Sequence, residues 1–367
     1  MKVAWVGTFD PTFSRNRRLA RLLDLTATEV DIIRMDLWTT DRVATAARGK
    51  ARALLRGFLV YPRLIWRLLR APTPDVYLVS YPGWFDVPFV WLVAKLRKRP
   101  VVFDPFFLLH ETVVEDRDLI RHGSLAARLV AIADKFALRL PDCIIADTGA
   151  HLSFYRELTT INAGAILEVG ADDSIFRPRE VEMARERRVL FYGNFVPLQG
   201  SATIVEAARL LADRDVHMTM IGEGQERPHV EALIKQLQIK NVDVLDRVPL
   251  EDLPNLIAAS TICLGIFGSS PKAERVVPHK VYECLAMGKP VITRGTRAVT
   301  ETFSDGEVET VDAGPDNLSD AILRLLDDPE RRARLARKGL EAYRRRFHED
   351  ALAASLGRAL ELAVESK

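Results

Sequence analysis

Short apolar segments alternate with amphipathic segments along the whole chain, and this alternation limits the fold more than any other feature. Strands that alternate with helices are typical of parallel sheets covered by helices on both faces. The sequence therefore predicts an α/β fold with two doubly wound parallel-sheet, Rossmann-like domains. The strand-like segments are Lys2–Val6, Val30–Arg34, Asp75–Ser80, Val101–Phe103 and Asp142–Asp147 in the first half, and Val189–Asn194, Val216–Ile221, Val242–Leu245, Ile262–Phe267 and Val291–Thr293 in the second.

The length of 367 residues exceeds one ordinary domain and suits two. The charged stretch Arg179–Arg188 is interpreted as the connection between them. We predict one domain over residues 1–178 and a second over residues 179–348. Residues 349–367 are predicted to form a last helix that returns to the first domain.

The net charge of +2 is unevenly distributed, because residues 1–100 carry +10 and the remainder −8. Residues 42–74 contain no acidic residue and interleave basic side chains with aromatic and aliphatic ones. That pattern is typical of a helix lying on an anionic membrane, and the alternative is a core helix with a solvated basic face. No nucleic-acid-binding motif accompanies the charge, so no nucleic acid is expected. We predict an anionic membrane surface as the partner of residues 42–70. The basic residues are Arg42, Arg48, Lys50, Arg52, Arg56, Arg63, Arg67 and Arg70.

The three cysteines, Cys143, Cys263 and Cys284, are widely spaced in apolar segments and have no metal-ligand spacing. Buried thiols in a reducing compartment are the simplest interpretation. The opening MKVAWVGTFDP predicts a strand and a turn rather than a signal peptide, and no apolar run approaches the roughly 20 residues that span a bilayer. We expect a cytoplasmic protein, peripheral on the inner face of the membrane.

The stretch from Leu264 to Thr293 carries the clearest chemistry. Pro278 opens a helix whose free N–H groups attract an anion, and Lys280 adds a full charge in the first turn. Glu283 follows at i,i+3 spacing, where a carboxylate can accept from sugar hydroxyls. An anion site beside such a carboxylate suits a nucleotide sugar. A plain helix that ends at Gly288 before a buried strand is the alternative.

This stretch resembles the donor site of glycosyltransferase family 4, whose members are retaining enzymes with the GT-B fold, in which two such domains face across a cleft. The resemblance covers the C-terminal half well and the N-terminal half only in element order. It implies that residues 1–178 bind the acceptor and that residues 179–348 bind the nucleotide-sugar donor. It implies that Lys280 stabilises a leaving diphosphate and that Glu283 holds the ribose. The matching residues are Pro278, Lys280, Glu283, Ala286, Gly288, Pro290, Val291 and Ile292.

The chain departs from the family pattern at three positions. Asn194 and Gln199 stand where the family usually has Arg and Lys on the donor diphosphate. Arg275 replaces the first of two glutamates, with Glu274 one residue away. Neutral hydrogen bonds are roughly half as strong as charge-assisted ones, so the leaving group loses stabilisation. We hypothesise compensation by three basic residues of the facing loop, which are Lys272, Arg275 and Lys280.

Further candidates lie where strands end, since ligands of open α/β sheets bind at the carboxyl ends of strands. Asp104 is one, and the resemblance implies that it positions the transferred sugar or the acceptor. The candidates for contact with acceptor or phosphate are Gly7, Thr8, Ser14 (as an N-cap) and Arg15. The candidates for donor binding are Gly193, Asn194, Gln199, Gly222, Arg247, Lys272, Glu274, Arg275, Pro278, His279 and Glu283.

The sequence thus predicts an enzyme that transfers a hexose from a nucleotide-diphosphate sugar to a lipid-linked or cell-envelope glycan acceptor, with retention as the resemblance implies. We expect no metal or other cofactor. Two alternatives stay open. One is a nucleotide-sugar 2-epimerase of the same fold, which needs no acceptor; the other is a non-catalytic GT-B partner subunit, suggested by Asn194, Gln199 and Arg275.

Overall fold

The chain, seen in a computed structural model, divides into two compact units. Unit 1 comprises Met1–Glu168 and Asp350–Lys367, and unit 2 comprises Val169–Glu349. The predicted domain boundary at residue 178 therefore lies inside unit 2, and the last helix is grouped with unit 1. Within residues 50–59 only the backbone is described. The residues that the structure describes are 1–36, 50–116, 119–181 and 187–366.

Unit 1 is built on six parallel strands rich in Val and Ile, which suit a sheet that is buried on both faces. They are β1 (Lys2–Gly7), β2 (Glu29–Arg34), β3 (Val76–Ser80), β4 (Val101–Asp104), β5 (Cys143–Ala146) and β6 (Ala163–Ile166). Their order in the sheet is β2-β1-β3-β4-β5-β6, and β1 aligns Val3 with Val30 on one side and Val76 on the other.

Two helical layers cover this sheet. On one face, α1 and the C-terminal helix pack Leu19 and Leu356 against Trp5 of β1. On the other face, α2 to α5 bury residues such as Leu64 and Leu138 against the alternate strand side chains. The helices are α1 (Ser14–Thr26), α2 (Lys50–Arg70), α3 (Val87–Leu96), α4 (Leu125–Arg139), α5 (Gly149–Leu158) and the C-terminal helix (Glu349–Glu365).

Unit 2 repeats the architecture with a second six-stranded parallel sheet of order β12-β11-β10-β7-β8-β9. Its strands are β7 (Arg188–Gly193), β8 (His217–Gly222), β9 (Val242–Leu245), β10 (Ile262–Leu264), β11 (Val291–Arg294) and β12 (Glu309–Val311). Its helices are α6 (Ser201–Leu210), α7 (Arg227–Gln236), α8 (Leu253–Ala258), α9 (His279–Ala286), α10 (Arg297–Thr302), α11 (Pro315–Asp327) and α12 (Pro329–Ala342). The predicted fold class, two parallel-sheet Rossmann-like domains, is confirmed.

The structure describes only part of the predicted membrane segment, residues 42–70. Residues 42–49 lie outside the described residues, and α2 begins at Lys50. Leu64 and Leu68 of this helix are fully buried, whereas Arg63, Trp66 and Leu69 are exposed. None of the described helices is both long enough and apolar enough to cross a bilayer.

Candidate active site

The carboxyl edge of the unit 2 sheet brings two loops together. After β7 the chain turns through residues 194–200, and after β10 it continues through residues 265–278. The backbone N–H of Phe267 donates to the Gln199 carbonyl at 3.0 Å, and that of Gly268 donates to the Leu198 carbonyl at 3.2 Å. A Cβ on Gly268 would lie 2.4 Å from the Leu198 oxygen, so only glycine allows this contact. The contact holds the first loop against the segment that leads into α9.

Lys280 lies in the first turn of α9, and its side chain is buried. Its Nζ sits 3.8 Å from the centre of the Phe191 ring and has no hydrogen-bond partner within the described part of the chain. Burial lowers the pKa of Lys280 to about 7, although the neighbouring Cys284 and Glu283 oppose that shift. A buried ammonium without a hydrogen-bond partner is costly, so this position favours an anionic ligand.

Glu283 is half-buried one turn further along α9. Its Oε2 accepts a hydrogen bond of 2.7 Å from the hydroxyl of Tyr192, which is the residue before the end of β7. Burial raises the pKa of Tyr192 well above its usual range, so the phenol stays a donor. Tyr192 thus holds the Glu283 carboxylate from a strand 91 residues earlier in the chain. The sequence patterns above did not single out Tyr192, because nothing local connects it to Glu283.

Gly193 is one of the predicted donor-binding residues, and the structure places a side chain next to it. A Cβ at Gly193 would lie 2.4 Å from Oε1 of Gln199, so the Gln199 amide occupies this space. Gln199 is buried, and its Oε1 has no hydrogen-bond partner among the described residues. Gly222 is also required by backbone contact, because its φ is +139° and a Cβ would lie 1.8 Å from the Gly193 oxygen.

Asn194, which stands where a cation was expected, contacts one. Its Oδ1 accepts a hydrogen bond of 3.1 Å from the Nη2 of Arg247, and both side chains are exposed. A guanidinium from the end of β9 therefore lies next to the position from which the family's Arg is missing.

The remaining donor candidates line the approach to α9. Pro278 caps the helix in an extended conformation, and His279 is its first residue. Lys272 is buried, and its carbonyl accepts from the N–H of Arg275 at 3.0 Å, which forms a turn. Glu274 is paired with Arg294 and also accepts from the N–H of Arg297 at 3.4 Å. The structure thus uses Glu274 to tie this loop to the end of β11.

In unit 1 the structure joins two of the predicted residues into one buried ion pair. The Nε of Arg15 donates to Oδ2 of Asp104 at 2.8 Å, and the side chains are 1% and 0% exposed. Arg15 also donates through Nη1 to the Glu168 carbonyl at 3.2 Å. Burial raises the pKa of Asp104, and the Arg15 guanidinium opposes that shift. In this arrangement Asp104 offers no exposed atom to a sugar.

The other unit 1 candidates are placed differently from the prediction. The backbone N–H of Thr8 donates to Asp86 at 2.7 Å, and its hydroxyl donates to the same carboxylate at 3.0 Å. Gly7 is needed there, because a Cβ would lie 2.6 Å from that carboxylate. A phosphate at this position would meet a buried acid. Ser14 is not the N-cap of α1: Phe13 holds that position, and Ser14 is the first helical residue.

Unit 1 contains a second buried cluster, which the sequence patterns did not reveal. His151 is fully buried, with its Nδ1 2.7 Å from Asp147 and its Nε2 3.1 Å from Glu111. Burial alone would lower the pKa of His151, but the two carboxylates raise it to about 9. The i,i+4 spacing of Asp147 and His151 at the start of α5 was a usable signal, whereas Glu111 comes from 40 residues earlier. In the part of the chain that the structure describes, no group of three acidic, His or Cys side chains could hold a metal ion.

Comparisons with known proteins point to unit 2, the part of the chain that contains α9. Residues 172–342 match the family described as glycosyl transferases group 1. Alpha-D-kanosaminyltransferase of Streptomyces kanamyceticus is 29% identical over 287 residues, which cover 75% of this chain and 67% of that relative. The lipopolysaccharide core biosynthesis glycosyltransferase LpsD of Rhizobium meliloti is 27% identical over 171 residues, 45% of this chain and 46% of its own.

The fold likeness extends over both units. HepE of Anabaena, solved in complex with UDP-glucose, superposes with a TM-score of 0.73 at 14% identity, covering 98% of this chain and 99% of that one. Sucrose-phosphate synthase of Thermosynechococcus elongatus gives a TM-score of 0.71 at 17% identity, covering 98% of each chain. The chain described here is thus a transferase enzyme with the GT-B fold, and residues 172–342 of its second unit are similar to the group 1 glycosyl transferases.

Proposed function

We propose that the protein transfers a hexose from a nucleotide-diphosphate sugar to a lipid-linked or cell-envelope glycan acceptor, with retention at the anomeric carbon. The observation that carries the proposal is the buried, unpaired ammonium of Lys280 at the start of α9, within the described part of the chain. A departing diphosphate is the anion that this position fits, because the helix start and the ammonium both stabilise negative charge.

The reaction breaks the bond between the anomeric carbon and the diphosphate, and the electron pair leaves with the diphosphate. An acceptor hydroxyl attacks from the same face, and its proton passes to the departing phosphate oxygen. Lys280 stabilises the leaving group. Glu283, oriented by Tyr192, accepts from the ribose hydroxyls of the donor. The step as written needs no metal or other cofactor.

Arg247 is the natural substitute for the missing charge at Asn194, because its guanidinium already contacts that side chain. Lys272 and Arg275 belong to the loop packed against residues 194–200 and add positive charge to it. Charge reversal at Arg275 is expected to raise the donor KM or lower turnover. Unchanged kinetics would remove Arg275 from the site.

Thermal shift with UDP, GDP, ADP, CMP and their sugars tests which nucleobase the donor carries. The panel begins with UDP-glucose because HepE was solved with it. A ligand at about 100 times its Kd adds roughly 2.7 kcal/mol to the free energy of unfolding. We expect one nucleotide to stabilise the protein, Glu283→Ala to abolish that shift, and the matched control Glu206→Ala on α6 to keep it. No shift with any nucleotide would contradict the proposal and favour a non-catalytic partner subunit.

For the acceptor, the names of the two curated relatives point to different glycosyl products, so lipopolysaccharide core fragments are one arm of the assay and soluble sugars another. An incubation without acceptor separates transfer from epimerisation of the donor sugar. The proposed site of action is the cytoplasmic face of an anionic membrane, reached through residues 42–70. The exposed Arg63, Trp66 and Arg70 of α2 support this contact.

A further inference from the structure

Helix α4 carries an apolar stripe on the side that faces away from the sheet. Leu125, Leu129, Ile132 and Phe136 follow one another at spacings of four, three and four residues, which places them on one line along the helix. They are exposed to 74, 57, 61 and 53%. The opposite side of α4 is already buried in the core of unit 1. The helix is therefore apolar on two sides. One side packs in the core of unit 1, and the other is exposed.

The charges on the outward side of α4 are all positive. Arg128, Lys135 and Arg139 are exposed beside the stripe, and no carboxylate of the described residues pairs with any of them. The one carboxylate of the helix, Asp134, is buried and turned inward. Its two oxygens accept from the backbone N–H groups of residues 109 and 110, at 3.0 and 2.7 Å.

The two neighbouring helices continue the same character, because α2 and α3 lie on the same face of the sheet and contain no acidic residue. On α3, Leu92 and Leu96 are at least half exposed, with Lys95 between them. On α2, Trp66 and Leu69 are half exposed. We call the outward sides of these three helices, from residue 60 onward, the α2–α4 surface.

A basic helix elsewhere in the chain shows that positive charge alone does not make such a surface. On α12, Arg331 pairs with Glu309 at 2.9 Å and Arg334 pairs with Glu330 at 3.5 Å. Of its two leucines, Leu335 is buried and Leu340 is partly buried. The α2–α4 surface differs because its cations lie beside exposed apolar side chains and face no acids of their own.

The positive charge of the α2–α4 surface favours an anionic bilayer over a second copy of the chain as its partner. A second copy of the chain docking through the same patch would set cations against cations. An anionic bilayer instead accepts the apolar stripe at the boundary between headgroups and acyl chains, while Lys and Arg reach the lipid phosphates and Trp sits at the headgroup level. We propose that α4 seats unit 1 on an anionic lipid bilayer, with α2 and α3 alongside. This inference rests on the membrane contact proposed above for α2, but not on sugar transfer.

Co-sedimentation of the full chain with vesicles tests the inference, using phosphatidylcholine alone and phosphatidylcholine mixed with phosphatidylglycerol. Leu129→Ser with Ile132→Ser, and separately Arg128→Glu with Lys135→Glu, should each weaken binding to the mixed vesicles roughly tenfold or more. The matched controls lie on the opposite face of the same sheet. Leu25→Ser on α1 and Arg358→Glu on the C-terminal helix should bind like the unmodified protein.

Three results would overturn the inference. Undiminished binding by both α4 variants, with loss in Trp66→Ser, would leave α2 as the only contact. Equal binding to vesicles without phosphatidylglycerol would remove the anionic lipid. A dimer in light scattering that the α4 variants dissociate would make a second copy the partner. The thermal shift with nucleotide should be the same in the α4 variants, so failure of the donor site and failure of the membrane surface are distinguishable.

Discussion

The two units share one architecture but differ in the surroundings of one buried cation each, Arg15 in unit 1 and Lys280 in unit 2. In unit 1, the cation at the carboxyl edge of the sheet is neutralised internally, since Arg15 is paired with Asp104, and His151 lies between two carboxylates. In unit 2, the buried Lys280 has ring faces around it and no hydrogen-bond partner among the described residues. An internal partner stabilises the unit, whereas an unpaired cation costs stability and leaves its charge available to a ligand.

Arg15→Ala tests the difference between Arg15 and Lys280, and we expect it to have the largest effect on stability. Removing one partner of a buried pair leaves an uncompensated charge, so we expect a loss of about 3–5 kcal/mol in the free energy of unfolding. Tryptophan fluorescence during urea unfolding measures this loss in unit 1 alone, because all five tryptophans of the chain lie there. The double variant Arg15→Met with Asp104→Leu should lose much less. Near-unchanged stability in Arg15→Ala would show that the pair is not what holds this edge.

Lys280→Met makes the complementary test in unit 2. If Lys280 stabilises the leaving diphosphate, kcat/KM should fall about 10²- to 10³-fold, while stability stays the same or rises because a buried charge is gone. The control is Lys289→Met, which removes an ammonium that donates to the Ser260 carbonyl at 2.9 Å. That variant should lose stability and keep its turnover. Turnover of Lys280→Met close to that of the unmodified enzyme would end the proposal for this residue.

The lowered pKa of Lys280, about 7 in the free protein, predicts a pH dependence of donor binding. A bound diphosphate favours the charged ammonium and so raises this pKa, and binding above about pH 7 must take up a proton. Affinity for a nucleotide-diphosphate sugar, whose diphosphate does not titrate in this range, should fall roughly tenfold per pH unit above about pH 7. Calorimetry in buffers of different ionisation enthalpy measures the uptake. The slope should vanish in Lys280→Met, and a slope that persists there would assign it to another group.

Tyr192→Phe should change donor binding less than the substitutions above. The substitution removes the hydroxyl that holds Glu283 and keeps the ring that covers Lys280. A net hydrogen bond contributes about 0.5–1.5 kcal/mol, so the donor KM should rise about three- to tenfold with little change in kcat. Discrimination against 2′-deoxyribose donors should weaken as well. A change in thermal stability without a change in KM would mean that Tyr192 serves only the fold.

The edge strands β6 and β12 were not predicted. The sequence alone was enough to predict the other ten described strands, their parallel arrangement and the helix that begins after Pro278. These features follow from local periodicity and from residues within one or two turns of each other. The order of Pro278, Lys280 and Glu283 on one helix belongs to the same category, since helical spacing sets which side chains share a face. The N-cap at Ser14 failed by one residue, which is the usual scale of error for a helix boundary.

The roles of the unit 1 candidates required the tertiary structure. Asp104 looks like a free carboxylate at a strand end until β4 and α1 bring Arg15 onto it from 89 residues away. Thr8 looks like a ligand contact until α3 begins beside Asp86 and fills both of its donors. Sheet order decides which strand ends become neighbours, and one sequence does not reveal that order through local spacing.

The amino-acid sequence alone accounts for the alternation of strand and helix, the excess of positive charge in the first hundred residues, and the local chemistry of α9. Which charges have partners depends on the assembled fold. Arg15 pairs with the Asp104 carboxylate, Glu283 accepts from the hydroxyl of Tyr192, and Lys280 lies against aromatic rings. The free energy of a charge depends on burial and on partners distant in sequence, and both are set when the sheets assemble.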